Sequence, residues 1–193
     1  MLTPAALASG TDRVRAALAL LPRRPDAVIN LQGDAVLTPP WVVQALVDAM
    51  AAEPGLGMVT AAVRLSEAQI AELRALKEKS PSSGTLVTMD RSGNALYFSK
   101  AMIPFARDGQ AAPMHRHIGI YGYAASVLER LGTLAPSPLE AAEGLEQLRA
   151  LENGIPIRVV LVDYRGRTHA SIDAREDLDQ VAAIIAREGE LVP

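Results

Sequence analysis

AVINLQGDAVLTPPWVVQALVDAM, residues 27–50, sets the fold class. Ala27 to Leu31 is a short apolar run, too short for a helix and bounded by Pro25 and Gly33, so it reads as a buried strand. Gly33 and Asp34 supply a turn. Thr38-Pro39 then has the form of a helix start, with Thr as N-cap and Pro at the first helical position. Val42, Val43, Leu46, Val47 and Met50 recur at helical spacing behind it. A strand that turns directly into a helix is the unit of an α/β protein.

The rest of the chain repeats this alternation. Thr11 to Leu21 places Val14, Ala17, Leu18 and Leu21 on one helical face and is stopped by Pro22 and Pro25. Met58 to Val63 is a second buried strand, followed by Ser66-x-x-Gln69, the capping-box pattern of a helix running to about Leu76. Thr85–Met89 and Ala95–Phe98 flank DRSG, residues 90–93, as a hairpin. His117 to Tyr123 alternates as a strand, and Ala124 to Leu131 is a short helix. Ser137-Pro138-Leu139-Glu140 opens a helix expected to run unbroken to about Glu152 and end at Asn153-Gly154. Ile157 to Val162 is a strand. Asp173-x-x-Glu176 opens the last helix, with Leu178, Val181, Ala182 and Ile185 facing inward. The expectation is a single α/β domain over residues 1–193, with a mixed, mostly parallel sheet flanked by helices.

Composition narrows the function classes. Apolar residues make up 49% and charged residues 21%, a globular balance. A net charge of −3 speaks against a nucleic-acid binder, which needs an excess of Lys and Arg for the phosphate backbone. No apolar stretch is long enough to span a bilayer, and no secretory leader is evident. Without cysteine there is no disulfide and no thiolate metal site, which is compatible with the cytoplasm. With only two Phe, four Tyr and one Trp, the core must be largely aliphatic.

In open α/β sheets, ligands bind beyond the carboxyl ends of the strands, and Asp34 stands at such an end. Its carboxylate suits a hard divalent cation beside a phosphate, or a turn in which it bonds backbone amides. Asp173 also follows a strand, but with Glu176 it equally forms a capping box. Glu146, Gln147 and Arg149 read as a solvated helix face, and His117 as a packed strand histidine. Lys100 and Arg107 suit an anionic substrate or the open surface. No G-x-S-x-G, G-x-G-x-x-G or G-x-x-x-x-G-K-[ST] occurs.

Six strings occur together in a fixed order: SGTDR (9–13), NLQGD (30–34), ALYFSK…IPF (95–105), HIGIYGY (117–123), PSPLE…LEQLRALENG (136–154) and IDAREDL (172–178). With them the chain resembles, over essentially its whole length, the 3-deoxy-manno-octulosonate (Kdo) cytidylyltransferases. The resemblance implies a nucleotidyltransferase fold of Rossmann-like, GT-A-like kind, using CTP and Mg²⁺. It implies transfer of CMP to Kdo with release of pyrophosphate, for lipopolysaccharide synthesis, in a cytoplasmic homodimer. It further implies that Asp34 and Asp173 hold the metal and serve catalysis. Gln32, His117, Tyr121, Glu146, Gln147 and Lys100 would bind the sugar acid, and Ser9, Gly10 and Asp12 would lie near the nucleotide.

The family pattern is not complete. A strand and loop resembling IPARxxSxRxPGKP, which hold the triphosphate in the family, do not occur in these 193 residues, so the expectation is an N-terminally incomplete chain. QGDEP reads QGDAV here, Pro4 and Ala6-Leu7 replace polar positions, Lys100 stands where Arg is usual, and Leu86 where Lys is usual. The alternatives are a truncated non-catalytic paralogue or dimerisation partner, and an enzyme for another acidic sugar.

Overall fold

The computed structural model describes residues 2–7, 9–107, 113–172, 175 and 177–191. Along the chain these form α1 (Gly10–Leu18), β1 (Ala27–Asn30), α2 (Pro40–Ala52), β2 (Met58–Arg64), α3 (Glu67–Lys79), β3 (Leu86–Met89) and β4 (Ala95–Ser99). β5 (His115–Ala124), α4 (Ala125–Leu131), α5 (Pro138–Glu143), α6 (Gln147–Glu152), β6 (Arg158–Leu161) and α7 (Asp177–Glu188) follow.

The six strands make one sheet in the order β4-β3-β5-β2-β6, with β1 also paired to β5. β5 is ten residues long and is the spine. β2 pairs along one edge of it, while β3 and β1 share the other edge, β3 at Arg116 and His115 and β1 at Tyr121 to Ala124. The expectation of a mostly parallel sheet is corrected: among the described residues only β2 and β6 pair in parallel, and the other pairings are antiparallel. The reason is that the spine runs opposite to β1 and β2. The carboxyl ends of β1, β2 and β6 nonetheless point the same way, which is the end where an α/β sheet places its ligands.

Neighbouring residues of β2 and β5 feed opposite faces, as the pleat requires. Met58, Ala62, Tyr121 and Tyr123 join the core that includes Phe98, Leu128 and Leu148. Val59, Ala61, Ile118 and Ile120 join the core under α2, with Val42 and Leu46. Gly122 lies where the sheet is tightest. A Cβ there would sit 2.6 Å from Val59 Cγ2, 2.7 Å from Met50 Sδ and 2.8 Å from Ile29 Cδ1.

β5 departs from the regular alternation expected of HIGIYGY. Thr60 of β2 pairs with Tyr121 and Ala61 with Ile118, so Gly119 and Ile120 are extra residues in a bulge. The Thr60 hydroxyl fills the bulge, with the Ile120 carbonyl at 2.8 Å, the Ile118 carbonyl at 3.3 Å and His117 Nε2 at 2.9 Å.

Local signals were realised unevenly. The capping box of α3 forms, with Ser66 N donating to Gln69 Oε1 at 2.9 Å and Gln69 N to Ser66 Oγ at 3.3 Å. In the hairpin turn, Asp90 Oδ1 accepts from the amides of Ser92 and Asn94. Thr38 does not cap α2: Pro39 is the N-cap, and Thr38 is buried one position earlier. In α7 the inward residues are Val181 and Ile184, while Leu178 is half exposed, a rotation of the expected face. Asp173 and Glu176, the expected cap of that helix, lie outside the described residues.

The largest revision concerns the helix expected from Ser137 to Glu152. It is two helices, α5 and α6, separated at Gly144, whose φ of 62° lies in the left-handed region. A side chain in that conformation costs about 1–2 kcal/mol, so Gly ends α5 without strain. Of the expected Ser137–Glu140 capping box only one bond is well formed, Ser137 N to Glu140 Oε2 at 3.0 Å.

Candidate active site

The break at Gly144 and the bulge in β5 converge on one cavity of about 190 Å³. Gln32 enters it from the turn after β1, Tyr121 and Tyr123 from β5, and Glu146, Gln147 and Arg149 from the segment after Gly144. Four of the expected sugar-acid residues, Gln32, Tyr121, Glu146 and Gln147, are thus brought together.

With the break, Gln147 is buried and its Nε2 has no hydrogen-bond partner. Glu146 Oε2 accepts from Thr11 Oγ1 at 2.9 Å. Arg149 is already committed, since its Nε donates to Glu140 Oε2 at 2.7 Å and its Nη2 to the other oxygen. That bidentate contact lowers the Glu140 pKa and raises that of Arg149.

His117 does not line this cavity but stands behind its Tyr121 wall. In a regular strand residues four apart are separated by about 13 Å. The bulge draws the His117 and Tyr121 rings to 5.4 Å, and the Phe98 ring meets His117 edge-on at 5.1 Å. Thr60 has one proton, and the Ile120 carbonyl is its shortest acceptor, so the hydroxyl accepts from His117 Nε2–H. Burial, and then the nearby His169, push the His117 pKa down to about 3, so the ring is neutral. Burial also pushes the Tyr121 and Tyr123 hydroxyls well above their ordinary range.

Lys100 is aimed at the cavity rim by a carboxylate clamp. Glu143 accepts from Ser99 Oγ at 2.6 Å and from the Lys100 amide at 2.8 Å, tying the end of β4 to the end of α5. Lys100 Nζ then lies 3.3 Å from where a Gly144 Cβ would stand.

Asp34 lies in the turn after β1, half-buried, where Ala35 N donates to Gln32 O at 3.1 Å. Ile172 N donates to Asp34 O at 3.1 Å, so the segment ending at Ile172 reaches this turn. Asp173, the expected second metal carboxylate, lies outside the described residues. Among the described residues no cluster of three His, Asp or Glu side chains forms a ready-made metal cage. Asp34 alone still fits a cation of the Mg²⁺ kind, which takes one or two carboxylates and completes its shell with substrate phosphates and water.

Ser9 and Asp12 have local work: Ser9 Oγ accepts from Asp12 N at 3.1 Å and caps α1. Gly10 approaches Asn30, whose Nδ2 is buried without a partner. The residue of SGTDR that reaches the cavity is Thr11, which sequence reasoning passed over. Its lone signal was a place within a recognised string.

A cytidylyltransferase family profile matches residues 1–159, and the chain belongs to that family. Its relatives narrow the class. A 3-deoxy-manno-octulosonate cytidylyltransferase of Maricaulis maris (strain MCS10) is 51% identical over 185 residues, covering 95% of this chain and 71% of the relative. One of the same name from Anaeromyxobacter dehalogenans (strain 2CP-C) is 43% identical over 180 residues, covering 93% of this chain and 69% of its own. The solved structure of a CMP:2-keto-3-deoxy-manno-octonic acid synthetase complexed with CTP superposes with a TM-score of 0.82 at 34% identity, covering 95% of this chain and 70% of that one.

Proposed function

We propose that this protein transfers the CMP group of CTP to 3-deoxy-manno-octulosonate, forming CMP-Kdo and pyrophosphate. The observation that carries the reading is the polar wall of the 190 Å³ cavity, above all the buried Gln147 Nε2 that lacks a partner. An unmet buried donor costs about 1–3 kcal/mol, which a bound hydroxyl would recover.

The residues divide the work by chemistry. Gln147 donates to a sugar hydroxyl, and Glu146 accepts from another with its orientation fixed by Thr11. Gln32 and Tyr121 line the same space. His117, held neutral, supports Tyr121 and offers no charge to the sugar carboxylate. Arg149 is consumed by Glu140, so Lys100 at the rim is the cation for that carboxylate. Gly10 approaches Asn30 at the end of β1, and in this proposal Ser9, Gly10 and Asp12 would lie near the nucleotide.

In the transfer, the sugar's anomeric oxygen forms a bond to the α-phosphorus as the bond to the β-phosphate oxygen breaks. The hydroxyl proton passes to solvent, and pyrophosphate leaves with the electron pair of the broken bond. Positioning and charge neutralisation carry such a reaction, with no covalent enzyme intermediate. A divalent cation, Mg²⁺ in this proposal, held by Asp34 with Asp173 as second carboxylate, would neutralise phosphate charge and acidify the attacking hydroxyl.

The test is pyrophosphate release from CTP by the complete gene product, with and without Kdo and Mg²⁺. Kdo-dependent release that falls at least about a hundredfold in Asp34→Asn supports the proposal. No release with Kdo, or release only with a different acidic sugar, overturns the substrate assignment. Full activity in Asp34→Asn removes the metal role.

A further inference from the structure

A second cavity, larger at about 510 Å³, shares no lining residue with the first. It lies between α3, the ends of β2 and β5, and the segment after β6. Its depth holds an unusual group. Arg116 is part-buried, yet its guanidinium has no hydrogen-bond or ion-pair partner among the described residues. Burial lowers its pKa, and the nearby Tyr164 opposes that shift in part.

The neighbours add to the imbalance. Lys77 lies close enough to Arg116 to be lowered by it, burial being the larger cause, but its ammonium is satisfied by the carbonyls of Ser83, Gly84 and Lys100. Arg64 and Arg167 also line the cavity. The Arg167 guanidinium is spent on the carbonyls of Glu188, Gly189 and Glu190. Two carboxylates face these cations, Glu72 and Asp163, and Asp163 Oδ1 already accepts from the Arg165 amide at 2.7 Å. His169 presents a buried Nδ1 without a partner. Its ring packs edge-on against Tyr164 at 5.6 Å. The Tyr164 hydroxyl faces Thr38 without a well-formed hydrogen bond.

The Arg116 guanidinium opens onto the cavity without a carboxylate bonded to it among the described residues; a half-desolvated cation of this kind gains when an anion binds. Groups of this kind are retained where a ligand supplies the missing charge, and 510 Å³ falls within the usual range of small-molecule sites, about 300–1,000 Å³. We propose that this cavity is a separate binding site for a small oxyanion-bearing molecule, a phosphate or a carboxylate, held by Arg116 and His169 Nδ1–H. Arg116 provides a planar fork for two oxygens, and His169 a third donor. The apolar walls, Leu73 and Ile118 among them, would contact the remainder of the molecule. The proposal does not depend on the transferase reading, because none of these residues lines the first cavity.

The test is a thermal-unfolding titration with inorganic phosphate and, separately, with malonate, at constant ionic strength, on the wild type and on Arg116→Gln. The expected result is a saturable rise in Tm for the wild type, with the tighter of the two probes identifying the oxyanion. In Arg116→Gln the apparent Kd should weaken at least tenfold. Without ligand the variant should unfold no earlier than the wild type, because it has lost an uncompensated charge rather than an ion pair. Equal response of both proteins, or response of neither, overturns the proposal. So does a variant that is less stable without ligand, since Arg116 would then have a structural partner. His169→Ala gives an independent second arm, and unchanged binding there removes His169 from the site.

Discussion

Acid should weaken this fold well before its carboxylates titrate. All three histidines of the chain, His115, His117 and His169, have lowered pKa values. Burial is the larger cause in each case, followed by a basic neighbour: Arg64 for His115, the His169 ring for His117 and Arg116 for His169. His117 lies near pKa 3 and His169 near 4. In the unfolded chain each returns to about 6.5. Above that value neither state binds the proton and stability is unaffected. As pH falls below it the unfolded chain takes up protons and the native state does not, so stability is lost until the folded pKa values are reached. From about pH 7 to about pH 5.5, linkage gives close to 1.2 kcal/mol for each strongly shifted ring, or about 2.5 kcal/mol for His117 and His169 together. His115 adds to this in the same direction. Domains of this kind have about 5–15 kcal/mol in all, so the loss is a large fraction. Carboxylates lowered by their partners, such as Glu140 against Arg149 and Glu188 at about 2 beside Thr168 and Arg187, act in the same direction but only below about 4.5. Urea unfolding followed by circular dichroism at constant ionic strength measures the loss. His169→Asn, whatever its own stability, should lose a substantial part of the pH dependence but less than half, because His117 and His115 remain. A stability that is flat or rising from about pH 7 to about pH 5.5 would refute the claim that these rings are buried and neutral.

Two substitutions probe the packing and the site. Gly122→Ala should cost about 1–3 kcal/mol, because the new methyl meets Val59, Met50 and Ile29 from three different elements; the urea midpoint should fall with the slope unchanged. Thr11→Val keeps the volume and removes the 2.9 Å hydrogen bond to Glu146, so KM for the sugar acid should rise about five- to tenfold with KM for CTP unchanged.

What the sequence made legible follows from the range of each signal. The strand, turn and helix of residues 27–52 were readable because apolar spacing, Pro and Gly act over a few residues. Sheet direction was not readable, since it depends on which strand becomes the spine, and β5 meets β1, β2 and β3 from distant parts of the chain. The bulge was hidden because 117, 119, 121 and 123 alternate in sequence whether or not Gly119 and Ile120 are paired. The Gly144 break left a trace, a glycine inside a helical pattern, which was read through because strong helix formers lie on both sides.

These two missed features are the ones that build the cavity. Regular secondary structure spaces side chains along a strand or around a helix, and neither spacing gathers polar groups at a point. The bulge brings His117 against Tyr121, and the left-handed Gly144 turns Glu146 and Gln147 inward while Glu143 holds Lys100 at the rim. Gly144 also leaves room for the Lys100 ammonium, which a side chain at that position would crowd. Local sequence rules fail here for a physical reason: a cavity that gathers polar groups from several segments needs the chain to leave its regular path, and the cost of leaving it falls on glycines. The four residues that share the cavity, Gln32, Tyr121, Glu146 and Gln147, lie within long specific strings, but the strings could not say that Thr11 bonds Glu146 or that Glu140 takes Arg149 out of use. Those relations are contacts between separate segments, and they determine which of the cavity's charges remain available to a ligand.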